Sequence, residues 1–246
     1  MSDLLRIALV AEGVTDYEII HAALRAILPR PFVMTPLQPE ATRPEMGGGW
    51  CGVRKWCHDT HLRSTSMKGA DITLMGFDLL VIHLDLDVAA LSYADCGTEV
   101  ESMARDWNWI ALPCQQPCPP ISATRDQIEA VLKSWLGGDM PMHRTLYCLP
   151  AQSSGTWLAA AVLPSGHTLL VSVECDIRVE KGLAQLPKKE RIKKSVLEYR
   201  KYAPVITAQW QQVKQICTQA ERFEQTVLAT LIPGKSGGSS RSCMER

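Results

Sequence analysis

The sequence predicts an α/β protein, an open parallel sheet of about four strands flanked by helices and followed by a helical C-terminal extension. Three observations carry that prediction. The stretch Leu79 to Asp87, LLVIHLDLD, is a continuous apolar run of the kind a strand buried on both faces requires, and it ends in Asp85-Leu86-Asp87. A second apolar run, Leu4 to Ala11, also ends on a carboxylate, in Val10-Ala11-Glu12-Gly13-Val14-Thr15-Asp16. Between them the order is strand, helix, connection, strand, which favours parallel pairing through right-handed crossovers.

After the first strand, Gly13 permits a tight turn, and Thr15 with Glu18 three residues later has the pattern of a capping box. A helix from about Asp16 to Leu28 follows, with Ile19, Ile20, Ala23, Leu24 and Ile27 at helical spacing, and Pro29 and Pro31 stop it. Phe32 to Thr35 reads as a short strand, and LQPEATRPEMGGG is loop by composition, long enough to move or to cover a site. Trp50 to His61 reads as a helix that covers the sheet through Trp50, Val53 and Trp56. Beyond Asp87, the segment Val88 to Gly97 reads as irregular and Thr98 to Trp107 as a short helix. A helix from Ser122 or Thr124 to Leu136 is closed by Gly137-Gly138. Arg144 to Leu149 reads as a further strand, followed by Ser153-Ser154-Gly155 and the apolar helix TWLAAAVL. A final amphipathic helix is expected from about Val205 to Ile232. The resulting division is an α/β domain over 1–165, a basic and helical extension over 166–233, and a disordered tail over 234–246.

With 246 residues the chain has enough length for a full core, and 46% hydrophobic against 21% charged residues excludes wholesale disorder. The formal net charge is zero, so global attraction cannot carry nucleic-acid binding, and any such binding depends on a local basic surface. The densest one is Asp176 to Lys201, where Lys181, Lys188, Lys189, Arg191, Lys193 and Lys194 are the candidate phosphate contacts, against a solvated or partner-binding face as the plainer alternative. The N-terminus lacks a secretory pattern and no segment is apolar enough to span a bilayer, so a cytoplasmic protein with no membrane partner is expected. Nine irregularly spaced cysteines are then read as reduced thiols. Cys51, Cys57, His58 and His61, with Cys114 and Cys118, form the most metal-like grouping, but no tight Cys-x2-Cys pair supports zinc.

Glu12, Asp85 and Asp87 at the ends of neighbouring parallel strands converge at the carboxyl edge of an open sheet, where such folds place ligands. Carboxylates this close raise one another's pKa unless a cation neutralises them, and an all-oxygen set suits Mg²⁺ or Mn²⁺. Glycosyltransferases, phosphatases and nucleases use such acidic pairs, and phosphodiester cleavage is the chemistry this set suits best. His83, inside the strand, is read as a satisfied buried imidazole, and Asp16 as a helix-dipole cap or a further acid.

Glu12-Gly13 after a first strand, followed by Asp85-x-Asp87 after a later one, resembles the Toprim domain of topoisomerases, bacterial primases, overcoming-lysogenization-defect nucleases and small RNA-maturation nucleases. The chain is too short for the strand-passage module of a topoisomerase or the zinc ribbon and polymerase core of a primase, which leaves a stand-alone Toprim-like protein related to the overcoming-lysogenization-defect nucleases. The resemblance implies Glu12 as metal ligand or general acid/base and Asp85 and Asp87 as the metal-binding pair. It further implies Glu174 or Asp176 as a second-metal ligand, and Lys181 or Lys188 as a transition-state cation. Where related stand-alone proteins carry an acid just before the Trp of the late helix, this chain has Gly155. The implied function is a Mg²⁺- or Mn²⁺-dependent nuclease acting on DNA or RNA, the effector of a bacterial anti-phage system. Its implied partners are nucleic acid, a separate ATPase subunit and a second copy of the chain. The alternative is a non-catalytic regulatory subunit that binds an ATPase or nucleic acid.

Overall fold

The computed structural model describes residues 4–40, 47–66, 71–138 and 144–231. The expected tail over 234–246 and part of the loop after the second strand lie outside the described residues.

Among the described residues, strands β1 (Leu5–Val10), β2 (Phe32–Gln38), β3 (Leu79–His83) and β4 (Thr145–Cys148) form one all-parallel sheet in the order β2-β1-β3-β4. β2 is an edge strand, which is why it tolerates Pro36 and extends past the expected Thr35. β1 and β3 pair in register from Ile7 with Leu79 to Val10 with Ile82, so their carboxyl ends lie side by side. The chain leaves β1 towards β2 on one side and continues from β3 to β4 on the other, which puts the reversal of strand order between β1 and β3.

Strand alternation divides the core in two. Ile7, Leu9, Leu79, Val81, Leu146 and Cys148 face one helical layer, built from α1 (Val14–Ile27), α5 (Gly155–Val162) and the C-terminal helices α6 (Val179–Gln185), α7 (Val196–Ala208), α8 (Trp210–Ile216) and α9 (Thr218–Leu231). Ala8, Val10, Leu80 and Ile82 face the other, built from α2 (Gly49–Ser66), α3 (Thr98–Asp106) and α4 (Ser122–Trp135). Trp50, Val53 and Trp56 of α2 pack there as their spacing predicts. The C-terminal helices share the core of α1 and α5, with Trp157 edge-on to Trp210 and tilted against Phe223 at 5.4 and 5.7 Å.

Four expectations are corrected. The expected single helix from Val205 is α7, α8 and α9, broken at Gln209 and Cys217, and the breaks turn Ile206, Trp210, Val213, Phe223 and Val227 into the same core. α1 begins at Val14 with Gly13 at its N-cap, and Asp16 rather than Glu18 accepts the Gly13 N–H at 2.8 Å. The segment after Asp85 is two short 3-10 helices, Leu86–Ala90 and Tyr93–Cys96, not irregular chain. The cysteines are not all thiols: Cys51 pairs with Cys96 and Cys118 with Cys175, Cα atoms 5.6 and 5.7 Å apart. Partners 45 and 57 residues apart leave no local spacing signal. Both pairs draw on the metal-like grouping, and His58 of that grouping sits edge-on to Trp107 and Trp109. Among the described residues no helix is long and apolar enough to cross a membrane.

Candidate metal centre

Sheet alternation aims His83 the same way as Leu79 and Val81, into the α1 and α5 layer, and extended backbone at Asp85 continues the pattern. Asp85 is thereby carried to the end of β1, where its backbone N–H donates to Glu12 Oε1 at 2.7 Å. The fully buried His83 lies between two carboxylates, Nε2 3.1 Å from Asp85 Oδ1 and Nδ1 3.9 Å from Asp16 Oδ2, and neither nitrogen has a partner with hydrogen-bond geometry. Ser154, at the start of α5, fixes both acids: its N–H donates to Asp85 Oδ1 at 3.0 Å and its hydroxyl to Asp16 Oδ1 at 2.6 Å. Asp87 does not alternate on extended backbone as expected; it sits in the first turn of the 3-10 helix, its N–H donating to the Gln152 carbonyl at 3.1 Å.

The charges are strongly coupled. Burial first, and then the neighbouring Asp85, push the Glu12 carboxyl well above its usual range. Burial likewise raises Asp85 against the opposing pull of His83, and burial with Asp85 pushes Asp87 up to about 6. For His83, burial opposes ionisation, but Asp16, Asp85 and Glu12 outweigh it and raise the imidazole to about 9. The neighbouring acids thus favour the protonated imidazole, and the two unpartnered ring nitrogens correct the reading of His83 as a satisfied buried imidazole.

One group among the described residues can hold a metal ion: Glu12, His83 and Asp85 offer ligand atoms within 4.8 Å of one another. The convergent carboxylates of Glu12 and Asp85 fit a divalent cation, and the imidazole would join them as a nitrogen ligand only after giving up its proton. Asp87 lies at the rim of this group, close enough to Asp85 to feel its charge.

The downstream candidates separate. Both Glu174 carboxylate oxygens bond to the start of α9, accepting from the Thr218 hydroxyl at 2.7 Å and the Gln219 N–H at 2.9 Å, and Glu174 lies outside the Glu12, His83 and Asp85 group. Asp176 is held by Arg178 at 3.0 Å. Lys181 is exposed on α6. Lys188, Lys189, Arg191, Lys193 and Lys194 form an exposed basic loop between α6 and α7, and among the described residues none of Lys188, Lys189 and Lys193 is in an ion pair. Lys194 alone of these reaches the centre, donating to Glu180 Oε2 at 2.8 Å, while the Tyr199 hydroxyl donates to Glu180 Oε1 at 3.0 Å. Sequence spacing singled out neither Glu180 nor Ser154 for the centre, because α6, the basic loop and α5 meet the strand ends only in three dimensions. On the other side, a groove of about 630 Å³ adjoins the centre at Gly13, lined by Ala11, Tyr17, Pro36, Gln38 and Arg200 among others.

The class defined by fold and site is an open parallel α/β domain with an acidic, histidine-containing group that could hold a cation where strand order reverses. No protein-family model, no curated protein and no solved structure matches the chain.

Proposed function

We propose that the protein is a Toprim-like, divalent-metal-dependent nuclease that cleaves phosphodiester bonds in DNA or RNA, the effector of a bacterial anti-phage system with a separate ATPase subunit. The observation that carries the reading is the convergence of Glu12, His83 and Asp85 at the strand reversal, with Lys194 of the basic loop held beside it by Glu180. In this reading Glu12 and Asp85, with Asp87 at the rim, hold one Mg²⁺ or Mn²⁺. A bound divalent ion supplies Lewis-acid stabilisation of the phosphate and a more acidic water. The chain's own residues do the rest. Ser154 orients Asp16 and Asp85 through two hydrogen bonds. His83 balances their charge from below, and Lys188, Lys189, Arg191 and Lys193 guide a phosphate backbone across the mouth.

The charge balance favours one rival reading. His83 and Lys194 already compensate the carboxylates, so the acidic set is also compatible with a metal-free regulatory subunit that docks on an ATPase or nucleic acid. Incubation with plasmid, linear DNA and structured RNA in Mg²⁺ or Mn²⁺ separates the two. The nuclease reading expects cleavage that Glu12→Ala abolishes. Absence of cleavage by the wild type, alone or with a co-encoded ATPase, supports the regulatory reading, and equal cleavage by Glu12→Ala overturns the site.

A further inference from the structure

Gly155 opens a notch in the first turn of α5. A Cβ placed there would overlap the Glu180 side chain, coming within 2.6 Å of its Oε1, so the missing side chain is what lets Glu180 of α6 approach. In that position Glu180 holds the Lys194 ammonium at 2.8 Å and is itself fixed by the Tyr199 hydroxyl at 3.0 Å. The Lys194 charge acts on Asp85 and Asp87, and Glu180 acts on Asp87, so the ammonium lies in the field of Glu180 on one side and the β3-end acids on the other. Lys194 remains half exposed, with a side-chain accessibility of 48%, so the ammonium is open to solvent.

We infer that Lys194, held by Glu180 through the Gly155 notch, takes the place that a second divalent ion would occupy, so that the centre works with one metal and one ammonium. This rests on the metal-centre reading given above. Gly155 leaves room for an acid from α6 that is already neutralised by a lysine. A phosphate then meets one exchangeable cation and one tethered cation, and Lys194 contacts the phosphate oxygen directly, as a catalytic residue. Tethering removes the dependence of the second positive charge on free metal concentration.

Counting Mn²⁺ bound per full-length chain, by calorimetry and by the spin resonance of free Mn²⁺, tests the inference without an activity readout. The wild type is expected to bind one ion. Lys194→Met and Lys194→Gln, changes at a half-exposed side chain, free Glu180 and Asp87 and are each expected to bind two, and adding Glu180→Gln returns the count to one. Two ions on the wild type, or a single ion on both folded lysine variants, would overturn the inference while leaving the metal centre intact. No ion on the wild type would overturn the metal centre itself and the inference with it.

Discussion

His83 decides the electrostatics of the centre. The imidazole is fully buried 3.1 Å from Asp85 Oδ1, and it and its neighbouring acids favour one another's charged forms against the burial that opposes both. The sign of the pH dependence follows. The His83 contribution to stability is complete below its ordinary value of about 6.5 and is lost as pH rises through about 9. Asp87 acts in the same direction, its protonated form being favoured until pH passes about 6. The metal-free protein is therefore expected to lose thermal stability in two steps as pH rises, from 3.8 to about 6 through Asp87 and from 6.5 to about 9 through His83, and His83→Gln is expected to lose the upper step; unfolding midpoints across both windows check this. A flat profile for the wild type would contradict the assignment. Ser154→Ala removes the hydroxyl that fixes Asp16 and is expected to weaken Mn²⁺ binding by about 10–100-fold, read by calorimetry. The convergence of Glu12 and Asp85 was legible because acids at the ends of apolar runs stand out against their surroundings, whereas Asp87, in the 3-10 turn, falls outside their group. His83 was not, since alternation says that a residue is buried but not whether its partners are carboxylates. Lys194 could not be told from its basic neighbours, because only the fold brings it to Glu180.

At the level of elements, the strands and their order were legible from apolar runs and punctuation, and the sheet follows them closely. The role of the C-terminal helices was not. Periodicity from Trp210 to Leu231 describes an apolar face without saying what it covers, and it covers Trp157 of α5. Arg200 of α7 also pairs with Glu18 of α1 at 2.8 Å, tying the same layer together across 182 residues. A chain ending at residue 165 is therefore expected to lack cooperative unfolding by circular dichroism, because it exposes the α1 and α5 faces that α7, α8 and α9 bury. A sharp cooperative transition for that fragment would show the α/β part to be independent. Trp157→Ala in the full chain is expected to cost about 3–5 kcal/mol by denaturant unfolding, a large buried ring being replaced by a cavity.

For the whole molecule, a zero formal charge is divided unevenly: buried acids collect at the strand ends, and the loop before α7 carries Lys188, Lys189 and Lys193, in no ion pair among the described residues. Any affinity for a phosphate backbone should accordingly be local and salt-sensitive. Replacing Lys188, Lys189 and Lys193 together by Ala is expected to lower the slope of log affinity against log salt by about 2–3, with little change in folding, measured by fluorescence anisotropy on single- and double-stranded oligonucleotides. An unchanged slope would assign the loop to another surface contact. The acidic centre itself is tested most directly by cleavage of an end-labelled oligonucleotide in Mn²⁺, with wild type, Asp85→Asn and wild type plus chelator run side by side. The account predicts product only from the wild type with free metal; equal product from Asp85→Asn, or product that survives the chelator, would contradict it.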